Sequence, residues 1–196
     1  MNRLEERFMI RGCVLGKPSS QKKLYELFSN EMFKVCLMYS SDYDGASDLL
    51  QEGFLKVFQN IHKYKPSGSF KGWVRRIIVN TCIDQYRKDK WNKFRVEIES
   101  MEDEIDLEEP DFTDSLYETD DFLRIIKQLP PGYSLILNLY FLEEMTHKEI
   151  ANQLEITVGT SKSQLFKAKK RLKKILIKTL SNEEIKLYEG FTQKVV

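Results

Sequence analysis

The sequence predicts an all-α protein: two small helical domains joined by an acidic flexible linker, the second domain containing a helix-turn-helix. Three observations predict it. Apolar residues recur at helical spacing in several segments, and no alternating strand pattern rises above them. Charge is strongly segregated, although the 196-residue chain has a formal net charge of only +1. Residues 56–95 carry eleven Lys or Arg and two acids, residues 97–121 carry thirteen acids and no base, and residues 157–178 carry eight bases and no acid. Finally, "MTHKEIANQLEITVGTSKSQLFKAKKRLKKIL" reads as two helical segments folded about a tight joint.

Residues 24–39 place Leu24, Leu27, Phe28, Phe33, Val35, Cys36 and Tyr39 at roughly helical intervals. A turn signal at 42–45 precedes a second helix over 48–61, whose apolar set is Leu49, Leu50, Phe54, Val57, Phe58 and Ile61. Pro66-Ser-Gly-Ser69 breaks the chain. A third helix runs from about Phe70 to Tyr86 or beyond, with Trp73, Val74, Ile77, Ile78, Thr81 and Ile83 available for packing. These helices form the first domain, residues 1–95, although stretch 1–21 offers no clear element of its own. Residues 96–121 form the linker, because they hold few core-building side chains, include Pro110, and repel one another. The second domain spans 122–180. Its first helix ends at Leu129-Pro-Pro-Gly132, a second covers 133–142, and the quoted stretch follows. In the tail, 181–196, Ser181-Asn-Glu-Glu184 fits a capping box opening a short last helix.

Composition removes several function classes. No stretch approaches the roughly 20 apolar residues of a membrane span, and the first twenty residues lack the apolar core of a secretory leader. Cys13, Cys36 and Cys82 are odd in number, far apart and set among apolar neighbours, which reads as reduced thiols in a cytoplasmic protein. Two distant histidines make no metal cluster. No nucleophile-base-acid set and no phosphate-binding Gly loop is present, so neither catalysis nor a cofactor is expected.

The quoted stretch carries the most weight. Thr146-His-Lys-Glu149 fits a capping box. The helix it opens presents Ile150, Ala151 and Leu154 on one face, and the small Ala151 admits a close neighbour. Ile156 can plug the joint, and Thr157 can cap a second helix with an inner face of Leu165, Ala168, Leu172 and Ile175. The outer face is then expected to carry Lys162, Ser163, Gln164, Lys167, Lys169, Lys170 and Arg171. Lys and Arg neutralise phosphates, while Gln and Ser can read base edges. An ordinary helical hairpin with a solvated basic face is the bland alternative. Glu155 and Ser161 depart from the pattern: Glu155 stands where Gly would turn left-handed without strain, and Ser161 falls on the inner face.

"EIANQLEITVGTSKSQLFKAKKRL" resembles the promoter-reading helix-turn-helix of bacterial RNA polymerase sigma factors, especially the extracytoplasmic-function (ECF) group. "DLLQEGFLKVFQNI" is similar to that family's core-polymerase-binding helix, and "SFKGWVRRIIVNTCID" resembles its promoter-melting helix. The order and spacing agree over residues 24–176. The resemblance implies a sigma factor that binds core RNA polymerase and directs promoter-specific initiation. Its first domain would grip the clamp helices of the largest subunit and open the minus-ten element. Its second would meet the flap of the second-largest subunit and read the minus-thirty-five element. The acidic linker would then mimic RNA in a basic channel, or be a solvated tether. An anti-sigma factor is a further partner class that the resemblance implies. Where the family often has Gly, an apolar residue and Arg, this chain has Glu155, Ser161 and Gln164.

Residues follow from these segments. Asp48, Gln51 and Glu52 lie on the polar side of their helix and by resemblance meet basic residues of the clamp; otherwise they are solvated surface. Tyr64, Lys71, Trp73, Arg75, Arg76, Asn80, Arg87 and Lys88 are the minus-ten candidates. An extruded base needs an aromatic wall and a polar group for its edge, which Tyr64 and Asn80 can supply while the cations hold phosphates. Trp73 is read as core ahead of wedge because it belongs to the apolar set with Ile77. Lys162, Ser163, Gln164, Lys167, Lys169 and Arg171 are the minus-thirty-five candidates.

Overall fold

The computed structural model describes the backbone of residues 2–99 and 125–179, and the side chains of residues 2–88 and 125–175. Every regular element among the described residues is helical. The chain separates into two compact units, Met1–Asp89 and Lys90–Val196. Most of the acidic stretch and the tail box at 181–184 lie outside the described residues.

The first unit opens with α1, Arg3–Val14, an element that the sequence reading left unassigned. Its signal was present: Asn2 Oδ1 accepts from the Glu5 amide at 2.8 Å while Glu5 reaches back to the Asn2 amide at 3.3 Å. This capping box satisfies two otherwise orphaned donors. The chain turns through Gly16 at φ +69°, a conformation that disfavours a side chain, and enters α2, Pro18–Tyr39. A Cβ on Gly12 would collide with the Ser20 side chain, so α1 lies close against α2. Asp42 caps α3, Tyr43–Asn60, accepting from the Gly45 amide at 2.7 Å. A 3₁₀ turn, Ile61–Lys63, and a short loop lead to α4, Phe70–Glu99, where Ser69 Oγ accepts from the Gly72 amide at 3.3 Å.

Phe28, Met32 and Cys36 of α2, Leu50, Phe54 and Val57 of α3, and Phe70, Val74, Ile78 and Ile83 of α4 are buried together with Met9 and Cys13 of α1. α4 runs past Tyr86 to Glu99, four residues into the span read as linker. Neither Gly nor Pro interrupts residues 73–99, so nothing in the chain breaks the hydrogen-bond ladder there. All three cysteines are buried, and none forms a disulfide. Burial pushes the Cys13 thiol up to about 11, which leaves it neutral and inert at ordinary pH.

In the second unit, Ile125 and Ile126 are helical and buried, and the chain turns at 127–129. The next helix, α5, Pro131–Leu137, begins two residues before the expected Tyr133. Pro fits the first helical turn, where its missing N–H is not needed. A π-turn, Asn138–Leu142, continues α5. Then come α6, His147–Leu154, and α7, Val158–Thr179. Ile126, Ile136, Leu139, Ile150, Leu154 and Leu172 are fully buried.

Gly53 marks a close approach of α3 to α4, because a Cβ there would run into the Ile78 side chain. Gly53→Val should destabilise the protein by about 1–3 kcal/mol through overpacking. Urea denaturation of the full chain checks this; an unchanged midpoint would show that the Gly53–Ile78 contact is slack.

Candidate nucleic-acid and protein interfaces

The buried side of α3 turns Leu50 and Phe54 inward, which leaves Asp48 and Gln51 exposed on the opposite side. Glu52 is half-buried and is held by Lys56, whose Nζ lies 3.1 Å from it and 3.3 Å from Asp84 of α4. Burial alone would lower the Lys56 ammonium, but Glu52 and then Asp84 outweigh it and hold its pKa above the ordinary value. Lys56 therefore stays charged and joins α3 to α4. Leu55 was missed by the sequence reading. It is 61% exposed, and it lies four residues after Gln51 and seven after Asp48, on the same stripe. The available signal was an apolar residue off the Leu50–Phe54 side.

At the start of α4, three aromatic rings meet. Tyr64 lies 5.0 Å from Phe70 and 5.5 Å from Trp73, and Phe70 stacks on Trp73 at 5.8 Å, centroid to centroid. The Tyr64 hydroxyl donates to the Gly68 carbonyl at 2.9 Å and so closes the loop. Burial, then the Glu6 carboxylate, push that hydroxyl above its ordinary pKa, so it remains a donor. Trp73, read as core ahead of wedge, is half-buried, as is Ile77, while Phe70, Val74 and Ile78 are buried. Trp73, Ile77, Asn80, Asp84 and Arg87 recur at spacings of four and three, which puts them on one ridge. The fold thus brings Tyr64, Trp73 and Asn80 to one side, with two helical turns (about 10 Å) from Trp73 to Asn80. Arg76 and Lys88 are exposed and Arg75 is half-buried. Lys71 is drawn aside into an ion pair with Glu31 at 2.7 Å.

The joint of the helix-turn-helix forms as its residues require. Thr146 and Glu149 make the capping box, with the Thr146 amide donating to Glu149 at 2.8 Å. Glu155 turns left-handed at φ 56°, a conformation costing a non-Gly residue roughly 1–2 kcal/mol. Thr157 Oγ1 accepts from the Thr160 amide at 3.0 Å and starts α7. Leu165, Ala168 and Leu172 are buried, and Ile175 is half-buried. Ser161 is fully buried on the inner face and bonds His147 Nδ1 at 2.9 Å, so a polar pair stands where an apolar residue was expected.

Gln164 also departs from the expected placement. Read as outer face, it is 2% exposed, and its Oε1 finds no hydrogen bond among the described residues. The buried stripe of α7 is wide enough to take both 164 and 165, as on most helices that pack against two neighbours. Gln164 therefore does not present its amide to an outside ligand in this structure. Lys162, Lys170 and Arg171 are exposed, whereas Ser163, Lys167 and Lys169 are half-buried. Ser163 Oγ donates to the Thr160 carbonyl at 3.1 Å. Phe166, also missed, is half-buried at i+3 from Ser163 and i−4 from Lys170. Because an unmatched buried amide oxygen is costly, Gln164→Met should hold stability or raise it by up to ~1 kcal/mol. Thermal denaturation checks this, and a marked loss would mean that the Gln164 amide is satisfied in solution.

No described helix is long and apolar enough to cross a membrane, and the described residues hold no group of three or more His, Cys, Asp or Glu placed for a metal. The sigma-70 region 2 family model matches residues 24–92, and the sigma-70 region 4 model matches residues 119–172. The chain is 27% identical over 171 residues to the ECF RNA polymerase sigma factor SigM of Bacillus subtilis, spanning 82% of this chain and 98% of that protein. It is 25% identical over 176 residues to SigW of the same organism, spanning 85% and 94%. Among solved structures, the sigma factor RpoE of Bartonella quintana, crystallised with the anti-sigma factor NepR, aligns with 81% of this chain and 98% of its own, at 21% identity and a TM-score of 0.49. With a region 2 unit holding α2 to α4 and a region 4 unit holding the helix-turn-helix, the chain belongs to the RNA polymerase sigma factors of the ECF group, which direct promoter-specific transcription initiation.

Proposed function

We propose that residues 1–95 bind core polymerase and open the promoter, that 96–121 tether the two domains, and that 122–180 read the upstream element. The observation that carries this is the separation of two surfaces on the first unit. The Asp48–Gln51–Leu55 stripe of α3 is acidic and apolar, while Tyr64, Trp73 and Asn80 form an aromatic and polar side at α4. The first suits the clamp helices, where opposite charge fixes register and Leu55 adds apolar contact. The second suits an extruded base, with Arg76, Arg87 and Lys88 near the strand and Arg75 beside it. Lys71 is a weaker candidate because Glu31 already engages it.

On α7, Lys162, Lys170 and Arg171 hold phosphates, Lys167 reaches one from the flank, and Ser163 with Phe166 faces base edges and thymine methyls. The flap of the second-largest polymerase subunit would seat this domain. The protein acts in the cytoplasm and has no chemistry of its own. An anti-sigma factor is a partner that would act by covering the α3 stripe.

Run-off transcription with core polymerase, with and without this protein, on a promoter library tests the whole reading. Absence of protein-dependent initiation would defeat it. Asp48→Lys combined with Glu52→Lys should weaken core binding at least ten-fold with helix content unchanged, since each reversal sets like charges together. Unchanged capture of polymerase would remove α3 as the contact. Tyr64→Ala with Asn80→Ala should lower open-complex formation, read by permanganate footprinting, more than closed-complex binding. Equal losses on duplex and pre-opened promoters would misplace the pocket.

A further inference from the structure

The recognition helix is tied to the π-turn at two points, neither of which the apolar core explains. Near its start, Ser161 is fully buried and bonds His147 Nδ1 at 2.9 Å. The His147 ring stacks on Tyr140 of the π-turn, centroids 4.9 Å apart and planes at 29°. Eight residues further on, Lys169 Nζ sits over the Phe141 ring, 5.6 Å from its centroid. Tyr140 and Phe141 are consecutive, and their rings meet edge to face at 4.9 Å. One short segment therefore holds α7 at two places roughly 12 Å apart along its axis. Burial of its inner side holds α7 against the core, and these two contacts along its length add to what sets its tilt.

The π-turn is itself anchored. Leu139 is fully buried, and its carbonyl accepts from the Met145 amide at 3.0 Å, while the Asn138 carbonyl accepts from the Glu143 amide at 3.1 Å. Wound as a continuing α-helix, the segment would direct its side chains differently along the turn, because π winding uses more residues per turn. Single π-turns often stand at functional places for this reason.

We infer that Tyr140 and Phe141 of the π-turn act as an aiming clamp for the recognition helix, and that Lys169 is a positioning residue acting through Phe141 instead of a phosphate contact. This rests on the reading of α7 as the upstream-element reader. A half-buried cation over a ring gives up part of its availability to a phosphate. The tilt of α7 decides which bases Ser163 and Phe166 reach, so the clamp acts on sequence preference without touching DNA.

The test uses holoenzyme assembled from core polymerase and the full chain, on promoters with one fixed minus-ten element and either the best-bound or a scrambled minus-thirty-five element. Phe141→Leu and Lys169→Met should each reduce the preference for the best-bound element by about two- to five-fold, in the range of one cation–π contact. The double variant should lose less than the sum of the two single losses, since the two share one contact. Phe141→Trp and Lys169→Arg keep the contact and should keep the preference. The salt dependence of binding should stay at the parent value. Ser161→Ala releases the other anchor and should reduce the same preference, so the inference stays testable if Phe141→Leu fails to fold. If instead Lys169→Met weakens all promoters alike and lowers the salt slope by about one, while Phe141→Leu leaves preference intact, Lys169 is a phosphate contact and the clamp is overturned. A parent holoenzyme indifferent to the minus-thirty-five sequence overturns the reading of α7 itself, which is a different failure.

Discussion

A basic helix can be offered to a ligand only if something else holds it in place, and the burial of one side of α7 does this for the second unit. Ser161, Gln164, Leu165, Ala168 and Leu172 are buried along that helix, while Lys162, Lys170, Arg171 and Lys174 remain exposed. Apolar burial is the dominant favourable term, at roughly 25 cal/mol per Å², and it must outweigh the repulsion among cations on the other side. Glu155 makes the burial possible by turning left-handed, which folds Leu154 and Leu172 into one core. The strain there is small beside the burial it permits.

The first unit meets the same constraint with different parts. Gly53 lets α3 and α4 approach closely, and the Lys56 bridge between Glu52 and Asp84 joins the same two helices at their edge. These groups are all partly exposed, so the bridge adds little stability; its effect is to order the side chains around Glu52. Close packing also accounts for the separation of surfaces. With Leu50, Phe54, Val74 and Ile78 turned inward, the acidic stripe of α3 and the aromatic side of α4 face outward as distinct chemical patches.

The charge pattern belongs to the same logic. A net charge of +1 hides blocks that would repel if packed together. Concentrating the acids between the two basic stretches keeps each stretch rich in cations while the chain as a whole stays near neutral. A protein must bind nucleic acid strongly enough to be held, yet not so strongly that it settles on any duplex. A low net charge weakens the sequence-independent part of binding.

How much was legible in the sequence differs from feature to feature, for physical reasons. Periodicity and capping are local, so the helices of 24–86, the Thr146–Glu149 box and the strained Glu155 were readable from residue types and spacing alone. The box at Asn2 and Glu5 is equally local. Which side of a wide buried stripe a residue takes is not local. Gln164 reads as an outward reader by composition, yet the packing around α7 buries it. Trp73 reads as core by its apolarity, yet it is half-buried while Phe70, Val74 and Ile78 are buried. Leu55 and Phe166 gain meaning only once the buried sides of their helices are known. The sequence by itself determined the helices, the joint and the segregation of charge, because these depend on neighbours along the chain. Only the tertiary structure decided which side chains face outward and that Phe141 of the π-turn lies against Lys169 of α7, because both depend on contacts between residues distant in sequence.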